Sequence, residues 1–224
     1  MQAGNAHYRT EKDLPDSVAM FPLTGALLLP GGQMPLNIFE PRYLAMFDDA
    51  MATNRLVGIV QPEFERPGAT SDAQSGLCAV GSIGRVVSFS ETGDGRYIVS
   101  LIGVCRTRLI EEVVSRKPYR TFRIAPFLSD LAPDETADSV DRAALLSSFK
   151  SYLDANQLEV DWQSVQRASN TTLVNSMSMM SPYGPPEKQA LLEAPDLKTR
   201  ADTLVAITEI ALARASDDYD GVLQ

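Results

Sequence analysis

Along the first half of the chain, apolar positions come in short runs bounded by Gly and Pro, the pattern of strands rather than helices. Val18 to Leu23 reads as one strand, stopped by Thr24-Gly25. Leu27-Leu28-Leu29 leads into the turn signal Pro30-Gly31-Gly32, and Met34 to Phe39 reads as a second strand. Pro41 suits the first turn of a helix, where its missing N–H costs nothing. Tyr43, Leu44, Phe47, Ala50 and Met51 then recur at helical spacing. Leu56 to Val60 is a third strand, and the Pro-, Gly- and Ser-rich stretch from Gln61 to Gly76 is expected to be a mobile loop. Ala79 to Ser90 and Tyr97 to Cys105 flank Gly93-Asp94-Gly95, whose glycines offer the positive φ that tight hairpins need. Two more strands are expected around Thr107–Val114 and Tyr119–Phe127. Antiparallel strands with one interrupting helix, and no βαβ alternation, predict a barrel or sandwich rather than a doubly wound sheet.

The period then changes to that of helices. Asp130 to Ser139, with Pro133 and Asp134-Glu135, reads as a linker and a capped helix start. Leu145, Leu146, Phe149, Tyr152 and Leu153 form one apolar stripe; Trp162, Val165, Leu173, Met177 and Met180 form another. Glu187 to Glu193 predicts a short helix, and Leu197, Ala201, Leu204, Val205, Thr208, Ala211, Leu212 and Ala215 share one face of a last one. The division expected is a flexible polar tail (1–17), a β subdomain (18–130), a helical subdomain (131–216) and a frayed acidic end (217–224).

Charge and composition narrow the function. The net charge is −9 over 224 residues, which makes polyanions poor default partners. The balance is uneven: Arg85 to Arg123 carries eight Lys/Arg against four Asp/Glu. That local excess keeps open a nucleic-acid reading through Arg106, Arg108, Arg120 and Arg123, although nucleic acid is the less favoured partner. Cys78 and Cys105 sit in apolar runs and read as reduced, buried thiols of a cytoplasmic protein; a disulfide between them stays open. No run is long and apolar enough to predict a membrane span, and no secretory signal pattern is present.

Catalytic chemistry finds few residues to use. The single histidine, His7, falls in the expected tail, and two cysteines with one histidine make a poor zinc site. None of the five lysines follows a glycine, so the chain has no P-loop for ATP. Ser147 and Lys150 match a Ser-x-x-Lys pattern, but Lys198-Thr199 is followed by Arg200 and supplies no Lys-Thr-Gly partner. No cofactor and no enzymatic activity are expected.

Three groups of residues carry a resemblance. The first is Phe21-Pro22-Leu23, Leu28-Leu29-Pro30-Gly31 and the run Pro35-Leu36-Asn37-Ile38-Phe39-Glu40-Pro41-Arg42-Tyr43. The second is Val80-Gly81-Ser82-Ile83-Gly84-Arg85-Val86 with Asp94-Gly95-Arg96 and Leu101-Ile102-Gly103-Val104-Cys105-Arg106. The third is Pro186-Glu187-Lys188-Gln189-Ala190-Leu191-Leu192-Glu193 with Arg200. Together, from about Val18 to Leu212, they resemble the N-terminal substrate-binding domain family of Lon proteases.

The resemblance implies an α+β fold, a PUA-like β pseudo-barrel followed by a helical bundle. It implies no catalytic residue, and the chain is expected to be a stand-alone member without ATPase or peptidase parts. The partner it implies is unfolded polypeptide, or a protease or chaperone linked to quality control. Leu27, Leu28, Leu29 and Met34, around the Pro-Gly turn, are either core or a partly exposed surface for such segments.

Overall fold

The structure, a computed structural model, describes residues 1–64 and 76–221, with side chains through 214. The chain divides into two compact units, one of Met1–Pro133 with Pro182–Leu192, the other of Asp134–Ser181 with Glu193–Gln224.

In the first unit eight strands run in order: β1 (Gln2–Ala3), β2 (Ala6–His7), β3 (Ser17–Pro22), β4 (Gln33–Ile38), β5 (Leu56–Val60), β6 (Val80–Glu91), β7 (Tyr97–Glu112) and β8 (Thr121–Pro126). Helix α1 (Pro41–Ala52) stands between β4 and β5, with Pro41 in its first turn. The larger sheet has the order β4-β7-β6-β5-β3-β8, and β8 also pairs with β7. That second pairing closes β7, β6, β5, β3 and β8 into a ring, so these strands have no open edge where the ring is complete. One prediction fails here: β3 and β5 are parallel, because β4 and α1 together make the crossover between them.

Two expected strands are one. Tyr97–Glu112 is continuous over 16 residues. Ile83 pairs with Cys105 and Gly84 with Gly103, which leaves Val104 as a bulge. A second irregularity falls between Leu109 and Glu111. These insertions break the inside–outside alternation over Gly103–Thr107, where the sequence suggests a boundary. They also bend β7 enough for its first half to pair with β4 and its second half with β8. In the β6–β7 turn only Gly95 takes a positive φ, at 81°.

Residues 1–17, predicted to be a flexible tail, are part of the barrel unit. β1 and β2 form a small hairpin, and Ala3, Tyr8 and Leu14 are buried with Leu56, Ile83, Val104 and Leu131. These three side chains, spaced irregularly among polar ones, give no periodic signal. The expected mobile loop, 61–76, lies largely outside the described residues; Gln61 itself is buried.

The second unit is helical: α2 (Arg142–Ala155), α3 (Trp162–Arg167), α4 (Asn170–Met180) and α6 (Leu197–Gly221). Helix α5 (Pro185–Glu193) belongs, through Leu192, to the barrel unit rather than to the helical one as predicted. The cap of α2 is Asp141, which accepts the Ala144 N–H at 2.9 Å. The predicted cap, Asp134, instead accepts the N–H groups of Thr136 and Leu197. The Trp162–Met180 stripe is two helices, split where the Ser169 hydroxyl caps α4 by accepting the Thr172 N–H; Trp162 and Met180 are exposed. Helix α6 continues through Gly221, over most of the expected acidic tail. Ser147 and Lys150 are exposed on α2.

Candidate binding cleft

The barrel unit holds a cleft of about 1000 Å³. Five segments position its walls: the end of β3 with Leu23 and Thr24, Pro35–Asn37 of β4 with Phe39 and Glu40, Arg42 and Tyr43 of α1, Pro62–Phe64 with Leu77, and Pro118–Arg120. Pro185 and Pro186 at the start of α5 complete it. Six of the lining residues are prolines (Pro22, Pro35, Pro62, Pro118, Pro185 and Pro186), which keep the walls stiff and remove six main-chain donors.

The floor is aromatic. Phe21 packs against Tyr43 with ring centroids 4.4 Å apart and the planes tilted by 53°, and meets Phe47 edge-on at 6.3 Å. Burial pushes the Tyr43 phenol above its ordinary pKa. Two large rings at the rim are uncovered: Phe39 is 62% exposed and Phe64 41%. Arg96 lies 5.9 Å from the Phe39 ring.

The two arginines of the described lining are each paired with a carboxylate, and Glu63 adds a further acidic group. Arg42 bonds Glu40 at 2.8 Å and lies 4.6 Å over the Tyr43 ring. Arg120 bonds Glu112 at 2.7 Å and lies 5.1 Å over Phe122. At the far side of the 113–120 turn, Tyr119 donates to Asp49, and Lys117 contacts the same carboxylate at 2.9 Å. The Tyr119 hydrogen bond and the Lys117 ammonium hold Asp49 below the usual carboxylate range, and Tyr119 and Asp49 hold Lys117 up at about 12. These contacts fix the turn that carries Pro118, Tyr119 and Arg120 into the cleft.

The lining offers apolar surface and stacked, neutralised arginines. Among the described residues it contains no histidine, cysteine or serine. Among the described residues no cluster of three potential metal ligands occurs. Both cysteines are free thiols; burial pushes Cys105 up to about 12, far from a reactive thiolate.

The residues singled out from the sequence for binding lie elsewhere. Leu27, Leu28 and Leu29 are 3%, 1% and 0% exposed, and so are core and not surface. The physical reason is a pair of glycines: a Cβ on Gly84 would fall 2.8 Å from the Leu28 side chain, and one on Gly103 would fall 2.1 Å from the Leu29 carbonyl oxygen. Met34, on β4, is half-buried. Phe39, expected from the sequence at the end of the second strand and not among the candidate binding residues, falls just past β4 and is 62% exposed.

Three of the four arginines singled out from the basic stretch are paired with carboxylates. Arg106 is buried and bonded to Asp130 at 2.7 Å, with its Nη1 donating to the Leu192 carbonyl. Arg120 is paired with Glu112 and Arg123 with Glu111, also at 2.7 Å, and Arg108 is exposed. The barrel unit carries 14 Lys/Arg against 15 Asp/Glu, a net −1, while the helical unit carries 6 against 14. The local excess is thus offset by acidic residues elsewhere in its own unit.

Residues 17–209 match the family model described as ATP-dependent protease La (LON) substrate-binding domain. The chain is 28% identical over 204 residues to Lon protease 2 of Myxococcus xanthus, an alignment covering 85% of this chain and 23% of that protein. It is 30% identical over 201 residues to the Lon protease of Parabacteroides distasonis, covering 86% and 24%. It therefore spans about a quarter of the length of these relatives. Two solved structures share its fold: a Lon N-terminal domain protein from Xanthomonas campestris (TM-score 0.60, 21% identity, 85% of this chain and 97% of that one) and the N-terminal domain of a Mycobacterium avium complex Lon protease (TM-score 0.64, 19% identity, 86% and 98%). No helix among the described residues is long and apolar enough to cross a membrane. The α+β pseudo-barrel, the residue motifs and the family match agree, and the chain belongs to the Lon substrate-binding domain family.

Proposed function

We propose that this protein is a non-catalytic polypeptide binder of the cytoplasm, which holds unfolded segments, or a partner linked to proteolysis, in the cleft of its barrel unit. The observation that carries this reading is the cleft itself: about 1000 Å³, walled by prolines and aromatic rings, with Phe39 and Phe64 uncovered at its rim. A concave apolar site with few convergent polar groups is suited to binding rather than to bond-making. The family's description as substrate-binding supports the choice of polypeptide as ligand. The lack of a histidine, cysteine or serine among the described residues of the cleft, and of any Gly-Lys dipeptide in the chain, supports a role without hydrolysis.

The test is a titration of the full chain into a fluorescently labelled, reduced and carboxymethylated protein, read as anisotropy. Saturable binding in the micromolar range is expected, with at least tenfold weaker affinity for the doubly substituted Phe39→Asp, Phe64→Asp variant. No binding at high micromolar protein, or equal binding by the variant, would refute the assignment.

A further inference from the structure

We infer that the cleft takes its ligand as an extended, uncharged polypeptide segment laid along the outer edge of β4. This rests on the reading of the cleft as a polypeptide site, and adds how the chain is held.

Strand β4 pairs with β7 and, among the described residues, with no other strand. Gly103 donates its N–H to Gly32 at 2.9 Å, and the register then sets Gln33 opposite Ile102. Alternation from Gly32 turns the main-chain groups of Met34, Leu36 and Ile38 toward β7, and those of Gln33, Pro35 and Asn37 outward. The cleft meets this outward edge. Pro35, Leu36 and Asn37 line it consecutively, whereas successive side chains of a strand point to opposite faces. Three neighbours in a row line a cavity only when it approaches the strand edge-on. Met20, Phe21 and Pro22 also line it consecutively, where β3 pairs with β5 on one side and, on the other, makes its last contact when the Met20 N–H donates to the Arg120 carbonyl at 2.9 Å.

The outward edge is selective because Pro35 has no N–H. It leaves the Pro35 and Asn37 carbonyls as acceptors and the Asn37 N–H as donor, enough to fix an added strand but too broken to template edge-to-edge association. The six residues of β4 span about 20 Å. Phe39, just beyond the strand, is placed to cover an apolar side chain at one end of a segment of that length. Charge decides the class of segment. With Arg42 matched by Glu40 and Arg120 by Glu112, and Glu63 adding a carboxylate, the described walls offer no unmatched cationic field for acidic ligands, so an uncharged apolar sequence fits best.

The experiment uses a terminally labelled ten-residue peptide of alternating apolar and uncharged polar residues, and a series in which each central amide in turn is N-methylated, titrated against the full chain. Strand addition predicts a period of two: methylation at alternate positions weakens binding tenfold or more, and at the positions between by less than about twofold. Asn37→Pro, checked for an unchanged thermal melt, is expected to weaken the parent peptide tenfold or more. If the parent peptide binds but the methyl series shows no period of two, strand addition is overturned and the cleft assignment stands. If neither the parent peptide nor an unfolded protein binds, both fall together.

Discussion

The side chain of Gln61 donates a hydrogen bond to that of Gln189, 3.1 Å away and 128 residues further along the chain. Both amides are buried and well used: Gln61 also accepts the Gly25 N–H at 2.9 Å and donates to the Pro185 carbonyl, and Gln189 donates to the Val80 carbonyl at 3.0 Å. Two side chains thus join the end of β5, the turn after β3, the start of β6 and helix α5. They hold Pro185 and Pro186 in the cleft wall.

Replacing Gln189 by Leu leaves the Val80 carbonyl without that donor inside the protein. Each buried polar group so abandoned costs about 1–3 kcal/mol. Denaturant unfolding of Gln189→Leu is expected to show a loss in that range, accompanied by weaker polypeptide binding because the α5 wall is released.

The leucines and the rim aromatics are expected to separate stability from binding. Leu28→Ala removes a fully buried side chain and is expected to cost about 2–5 kcal/mol while leaving affinity within about twofold wherever the protein is folded. Phe39→Asp is expected to change stability by less than about 1 kcal/mol and to weaken binding markedly. Chemical denaturation and titration of the same two variants provide the comparison.

Much of the strand layout was legible because Gly and Pro punctuate it. The β6–β7 hairpin follows from Gly93-Asp94-Gly95, and α1 from Pro41 and the spacing after it. Three things were hidden. The bulge at Val104 disguises one strand as two, since it destroys the alternation that reveals a strand. The burial of Leu27–Leu29 depends on the absence of a side chain at Gly84 and Gly103, more than fifty residues away. The Lys-Gln motif of α5 was recognisable as a resemblance, but its role lies in the contact between Gln189 and Gln61, which no local pattern encodes. The cleft was hidden for the same reason, as it is assembled from five segments and α5.

Gly103 gives a sharp test of the barrel packing. A Cβ there would lie 2.1 Å from the Leu29 carbonyl oxygen, a main-chain atom that cannot rotate away. Gly103→Ala is expected to cost about 3 kcal/mol, at the upper end for overpacking, or to abolish soluble expression. Gly93→Ala, where nothing lies within 4 Å and φ is ordinary, is expected to change the melting temperature little.

Lys188 predicts a pH signature. Burial pushes its ammonium from 10.5 down to about 8. Between those values the unfolded chain holds the proton and the folded one has released it, so this group makes stability rise with pH through that window. Below about pH 8 both states are protonated and its contribution is flat. Comparing unfolding free energies at pH 7.5 and 9.5 should show a smaller rise, or a larger fall, in Lys188→Met than in the parent protein.

The central claim is that polypeptide is held in the barrel cleft. The most direct measurement places a photoreactive phenylalanine analogue at position 39, or at exposed position 210 on α6 as a control, and irradiates each protein with labelled unfolded polypeptide. The account expects strong crosslinking from position 39, suppressed by excess unlabelled polypeptide, and little from position 210. Equal crosslinking from both sites, or none from position 39 under conditions where binding saturates, would contradict it.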